Sequence, residues 1–306
     1  MELGLLTACF PNWTLERVAQ WASSVGISSL EIAAWPTKNR DFTATHLALD
    51  AEGGLDAARV AAETLAKAGV RPSCIAYYDN NLHPDEKIRA RTHEHLARCI
   101  QAAPLLGCPL VGTFIGRNPG KTFAENLRDA ERIFPALAQR AGEVGVKLVI
   151  ENCPMEGWDP DGIVGNLAYS PELWEWMFDL GLYLNYDPSH PVWLGIDPLF
   201  AIDNYADHIL HVHAKDIETF LPERNRYGWL GKVVERDDAW DVGWWRYRVP
   251  GRGEIDWCKL VDRLFERGYE SALTIEHEDA IWSGSDDHIQ AGIEIAQTTL
   301  SPLLVR

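Results

Sequence analysis

The 306-residue sequence contains no apolar run approaching the ~18–20 residues that span a bilayer, so no membrane-spanning helix is expected. It contains no C-x-x-C pair. Its six cysteines (Cys9, Cys74, Cys99, Cys108, Cys153, Cys258) are scattered. The start, Met1-Glu2, lacks a basic stretch followed by an apolar one, and no signal peptide is expected. Together these absences lead us to expect a reduced, cytoplasmic protein. Positive charge is also scarce. Lys and Arg number 28 against 45 Asp and Glu, for a net charge of -17. A phosphate-binding face needs clustered cations, so nucleic acid is not an expected partner. There is no P-loop, no G-x-G-x-x-G behind the first strand, no linker and no short-period repeat. The nucleotide-binding motifs of doubly wound sheets are therefore missing.

What is present is a rhythm. Short apolar segments recur at residues 3–8 (LGLLTA), 28–33 (SSLEIA), 72–77 (PSCIAY), 109–114 (PLVGTF), 147–152 (KLVIEN), 182–187 (LYLNYD), 209–214 (ILHVHA) and 272–277 (ALTIEH). Between most of them lie amphipathic stretches, clearest at 55–70, 93–108 and 129–146. These stop near a glycine, as helix C-termini often do. Strands apolar almost throughout are buried on both faces, as in a parallel sheet. Eight strand–helix units in this length predict a (β/α)8 TIM barrel, one domain over residues 1–306. One stretch breaks the rhythm: residues 217–249 after the seventh strand, charged and rich in Trp. A long connection of this kind is expected to be an ordered lid or a surface packed on a neighbouring subunit.

The chemistry is expected at the strand ends. The fifth strand ends in Glu151. The sixth ends in Asp187-Pro-Ser-His190. The seventh carries His211, His213, Lys215 and Asp216, and the eighth ends in Glu276 followed by His277, Glu278 and Asp279. In a barrel the C-terminal strand ends ring one mouth, and active sites are built there. Carboxylates with one or two imidazoles suit a divalent ion such as Mn²⁺, Mg²⁺, Co²⁺ or Zn²⁺. An ion also removes the cost of leaving buried charges unpaired. Taken singly, each residue has a plainer explanation. Glu151 can be a polar strand end, Asp187 a turn residue, and the histidines satisfied core groups.

The order E-N (151–152), D-P-S-H (187–190), H-V-H-A-K-D (211–216), G-R-G-E-I-D-W (251–257) and I-E (275–276) resembles the xylose isomerase-like TIM-barrel superfamily. That superfamily holds sugar isomerases and epimerases, inosose isomerases and dehydratases, and the endonuclease IV group. The resemblance implies one divalent ion, Mn²⁺ first among the candidates, held by Glu151, Asp187, His213 and Glu276. The ketose 3-epimerase branch implies further that Glu151 and Glu276 move the proton, and that His190 and Glu156 touch the substrate. Lys215 and Trp193 are further substrate-binding candidates. From the insertion, Trp244 and Trp245 are expected to offer ring faces, and Arg246 or Arg248 to reach a hydroxyl or phosphate.

The reaction implied is removal of a proton beside a carbonyl through a metal-bound enediolate, on a keto-sugar, cyclitol or related carbohydrate. Reprotonation gives epimerisation or isomerisation. Loss of a β-substituent makes the protein a lyase, dehydratase or deglycosidase subunit instead. A non-catalytic sugar-binding barrel and an endonuclease IV-like nuclease are the remaining alternatives. The nuclease needs extra histidines where the fourth strand here ends in Gly-Thr-Phe. With no glycine-rich phosphate cradle, a free sugar is expected over a sugar phosphate. Barrels of this family often form homo-oligomers, and the Trp-rich insertion is compatible with that.

Overall fold

A computed structural model describes residues 1–38, 44–158, 164–237 and 241–304. Eight parallel strands close into a barrel: β1 (Glu2–Leu6), β2 (Ser29–Ala33), β3 (Arg71–Ala76), β4 (Leu110–Thr113), β5 (Lys147–Glu151), β6 (Tyr183–Tyr186), β7 (Ile209–Ala214) and β10 (Ala272–Ile275). β10 sits between β7 and β1 and seals the ring. Two further strands, β8 (Asp216–Thr219) and β9 (Trp245–Arg248), form a separate antiparallel hairpin. The (β/α)8 barrel predicted from the alternation of segments is the fold observed.

Helices follow the strands in the order the alternation predicts, but two begin earlier than their apolar periodicity suggests. The helix Glu86–Leu106 starts seven residues before position 93 because Asp85 accepts hydrogen bonds from the Lys87 and Ile88 amides. The helix Phe123–Glu143 starts six residues before position 129. There Thr122 and Glu125 form a reciprocal capping box. In both cases the cap lies outside the stripe that faces the barrel. The 55–70 segment folds as the helix Asp56–Ala68, closed by Gly69 in the left-handed region.

The inside of the barrel is polar at mouth level. Strand alternation turns Glu31, Asn185, His211, His213 and Thr274 inward, all fully buried. Register aligns Glu151 with Asn185, Asn185 with His211, and His213 with Thr274. Every one of these groups has a partner: His211 Nδ1 lies 2.9 Å from Asn185 Oδ1, and His211 Nε2 lies 3.0 Å from Thr274 Oγ1. Tyr78 reaches across this layer, donating to Glu31 Oε1 at 2.5 Å and accepting from Asn185 Nδ2 at 2.6 Å. Gly112 on β4 makes that reach available, since a Cβ there would collide with the Tyr78 ring.

The described residues of the 217–249 insertion are arranged around the hairpin. Asp216 opens β8, the helix Leu221–Tyr227 follows, and β9 returns the chain; residues 238–240 lie outside the described set. The buried Asp216 carboxylate accepts from the amides of Ile217, Gly251 and Ile255 and from the Trp257 indole. It therefore ties the hairpin root to the Gly-Arg-Gly-Glu turn. A Cβ at Gly253 would strike the Asp216 carboxylate and the Ile217 carbonyl. The G-R-G-E-I-D-W motif is thus a clamp on the insertion. None of the six cysteines is paired. Among the described residues no helix is long and apolar enough to cross a membrane.

Candidate metal centre at the barrel mouth

Four consecutive barrel strands each deliver one ligand-type side chain to a single point. Glu151 ends β5, Asp187 follows β6, His213 lies near the end of β7, and Glu276 follows β10. One ligand atom from each lies within 4.8 Å of the others. All four side chains are buried. His213 Nδ1 is 3.0 Å from Glu276 Oε2 and 3.6 Å from Glu151 Oε1.

Burying three carboxylates together is unfavourable unless something cationic compensates. His213, His190 and Lys215 supply part of that charge. Burial opposes ionisation of Glu151, yet contacts with His190, His213 and Lys215 pull it down to about 2. Burial likewise opposes ionisation of Asp187, but Lys215 and His190 hold it well below the usual carboxylate range. At Glu276 burial prevails: the group is pushed up to about 7 despite Lys215 and His213. The compensation is geometrically incomplete. Asp187 Oδ2, His213 Nδ1 and Glu276 Oε2 are all buried without a well-formed hydrogen bond. Buried polar atoms are normally satisfied. Here Lys215 Nζ stands 2.8 Å and 3.0 Å from two of these atoms, Glu276 Oε2 and Asp187 Oδ2, as an ion pair, and the four converging donors as a set fit a divalent cation. Three carboxylate oxygens and one imidazole nitrogen suit Mg²⁺, Mn²⁺, Co²⁺ or Zn²⁺. Cys153 stands nearby, grouped with Glu151 and His190 and not with the four, and burial pushes its thiol up to about 12.

The sequence model of the family described as xylose isomerase-like TIM barrel matches residues 19–299. The chain belongs to that family. An inosose dehydratase of Clostridium perfringens is 30% identical over 165 residues, 52% of this chain and 47% of that protein. This chain spans half or less of the length of the curated relatives it matches. Among the solved structures that share the fold are these two. One, entitled IOLI protein with a binding zinc atom, has a TM-score of 0.67 and 18% identity, over 99% of this chain and 96% of that one. The other is 3-keto-D-glucoside 4-epimerase from E. coli. Its TM-score is 0.69 at 14% identity, over 99% of this chain and 98% of that one.

On this xylose isomerase-like barrel the other predicted residues divide into two sets. His190 joins the centre: its Nε2 lies 3.3 Å from both Glu151 Oε1 and Asp187 Oδ2. The helix Ser189–Leu194, opened by the Pro-Ser turn, carries it back over the strand end. Lys215 joins too, 2.8 Å from Glu276 Oε2 and 3.0 Å from Asp187 Oδ2. Glu156 is buried in the turn Glu156–Trp158, with Oε2 unpartnered and its carboxyl raised by burial. Trp193 stacks on Trp245, ring centroids 5.0 Å apart.

The insertion departs from expectation. Trp244 is fully buried and packs edge-on against Trp229, so it has no face to offer a ligand. Arg246 and Arg248 are both held by Glu218, and Arg248 also by Asp279. These arginines fasten the hairpin where reach toward a substrate was expected.

Two residues were missed from sequence. Tyr247 of β9 brings its hydroxyl 2.9 Å from His190 Nδ1. Glu31 of β2 contacts His213 Nε2 at 2.7 Å. A carboxylate opposite the far nitrogen of a ligating imidazole fixes the ring and its tautomer. The signal for Glu31 was a lone acid inside the apolar run SSLEIA. Tyr247 gave no signal, because it sits in a segment with no regular period.

Proposed function

We propose that this chain is a divalent-metal-dependent carbohydrate isomerase or epimerase acting on a carbon beside a carbonyl. The observation that carries the reading is the convergence of Glu151, Asp187, His213 and Glu276, each with a ligand atom within 4.8 Å of the others. A cation held by these four, Mn²⁺ first among the candidates, supplies Lewis acidity toward substrate oxygens.

The chain's own groups do the rest. Glu151 and Glu276 come from β5 and β10, with β6 and β7 between them, so they flank whatever binds at the centre. One takes the proton on the carbon next to the carbonyl, and the C–H electrons move into an enediolate. The other returns a proton to the opposite face, or to the neighbouring carbon. His190, oriented by Tyr247, and Lys215 contribute hydrogen bonds to substrate oxygens. Glu156 lies near enough to His190 and Lys215 to feel their charge and binds a hydroxyl. Trp193 and Trp245 wall off water. The substrate class is a free keto-sugar, cyclitol or keto-glycoside.

A second reading is dehydration, favoured by the inosose dehydratase relative. The same enediolate would then expel a β-hydroxyl, the C–O bond breaking as that oxygen leaves with a proton as water. Both readings share the first proton transfer.

The test is incubation in D₂O with keto-sugars, inososes and 3-keto-glycosides, with and without Mn²⁺, following deuterium at carbon by NMR and metal content by mass spectrometry. Metal-dependent exchange with an intact carbon skeleton and no lost oxygen supports isomerisation. Exchange with loss of water supports the lyase. A protein that takes up no divalent ion, with no exchange on any carbonyl carbohydrate, overturns both.

A further inference from the structure

Lys215 is 1% exposed, and its ammonium lies against the oxygens that the candidate centre needs. Nζ is 2.8 Å from Glu276 Oε2 and 3.0 Å from Asp187 Oδ2. Those carboxylates belong to two of the four residues whose ligand atoms converge within 4.8 Å. A divalent ion bound to the same oxygens would face an ammonium a few ångströms away, and like charges at that separation in a poorly solvated mouth repel strongly. The structure also shows where the ammonium can go. Glu278 Oε2 lies 3.0 Å from Nζ on a side chain that is 49% exposed, at the rim. The Tyr247 ring face lies 4.4 Å away. Both attract a cation.

We infer that Lys215 is an internal counter-ion of the ligand cluster, and that Lys215 with Glu278 sets the affinity of the centre for its ion. Without metal, the ammonium neutralises Asp187 and Glu276 and spares the fold two uncompensated buried carboxylates. When a divalent ion enters, the ammonium withdraws onto Glu278 and the Tyr247 ring, where it faces the mouth. Metal uptake is thereby an exchange of one cation for another. This rests on the metal-dependent reading above.

The competition has a signature that a general field does not. Removing a nearby positive charge tightens cation binding in either case, and removing a nearby negative charge weakens it. If Glu278 acts by receiving Lys215, however, its effect disappears once the lysine is gone. A field effect would simply add.

The experiment is Mn²⁺ titration of chelator-treated protein, with free Mn²⁺ read by electron paramagnetic resonance. It compares wild type, Lys215→Met, Glu278→Gln and the double variant, with Tm measured in the metal-free and Mn²⁺-loaded forms. Lys215→Met is expected to lower Kd about tenfold or more, the order expected when a buried like charge is removed. Its Tm should fall without metal and recover with Mn²⁺. Glu278→Gln is expected to raise Kd severalfold in the wild-type background and to leave it unchanged in the Lys215→Met background. If Lys215→Met will not fold without metal, it is purified with Mn²⁺ and Kd is read by chelator competition. A Lys215→Met protein that binds Mn²⁺ no tighter than wild type overturns the inference, as does an additive double variant. Those results leave metal-dependent function standing. Wild type that takes up no Mn²⁺ or other divalent ion overturns both.

Discussion

Glu31 Oε2 lies 2.7 Å from His213 Nε2, although β2 and β7 are separated around the barrel wall by β1 and β10. The contact crosses the barrel interior and leaves His213 Nδ1 turned toward Glu151 and Glu276. The imidazole is therefore held from behind, with Nδ1 aimed at the ligand cluster.

Replacing Glu31 by Gln keeps the shape and removes the charge. Partners of this kind are typically worth about 10–100-fold in metal affinity. We expect Glu31→Gln to weaken Mn²⁺ binding by that order and His213→Ala to abolish it, both read by equilibrium dialysis with metal analysis. Wild-type affinity in Glu31→Gln would remove Glu31 from the centre's support.

The second prediction concerns pH. Asp279 is buried, and burial raises its carboxyl, but the Val249 amide and the Arg248 guanidinium outweigh that and hold it below the usual range. A carboxyl with a depressed folded-state pKa stabilises the fold above the unfolded-state pKa, near ~4, and loses that contribution as pH falls through the lower folded value. Asp279→Asn should therefore have a lower Tm than wild type at neutral pH. The gap should close as pH drops below about 4. A gap of constant size across the acid range would mean that charge is not what Asp279 contributes.

Gly253 supplies the third. A methyl group there meets the Asp216 carboxylate and the Ile217 carbonyl, neither of which is a free-swinging chain end. Gly253→Ala should cost about 1–3 kcal/mol by denaturant unfolding, the usual range for overpacking. It should also expose the hairpin root to hydrogen exchange. Unchanged stability would show that the clamp has slack.

Much of this was legible in the sequence. The eight strands announced themselves as apolar runs, and several of the helices between them stop at glycines that the left-handed backbone requires, as at Gly69 and Gly107. Glu151, Asp187 and Glu276 stand out because each sits where an apolar strand gives way, whereas His213 lies within β7 and is set apart from His211 only by the family resemblance. What stayed hidden depends on contacts between distant segments. Glu31 lies within its strand and meets His213 only once the barrel has closed. Trp244 and Trp245 are neighbours in an aromatic stretch, yet one is buried under Trp229 and the other stacks on Trp193. Composition treats them alike. Arg246 and Arg248 were read as free hands because Glu218 pairs with them only through the hairpin register.

The hairpin has a consequence for how such a barrel is altered. Its two legs are fixed at the base, one by Asp216 to the following turn and the other by Arg248 to Asp279, while Tyr247 on the second leg reaches His190. Among the described residues between the legs, 220–237 and 241–244, none bears those fastenings. The exposed stretch around Leu230, Val233 and Val234 is the interchangeable part, while Val242 and Trp244 are built into the core. Exchanging that exposed stretch should leave the geometry of the four converging side chains untouched.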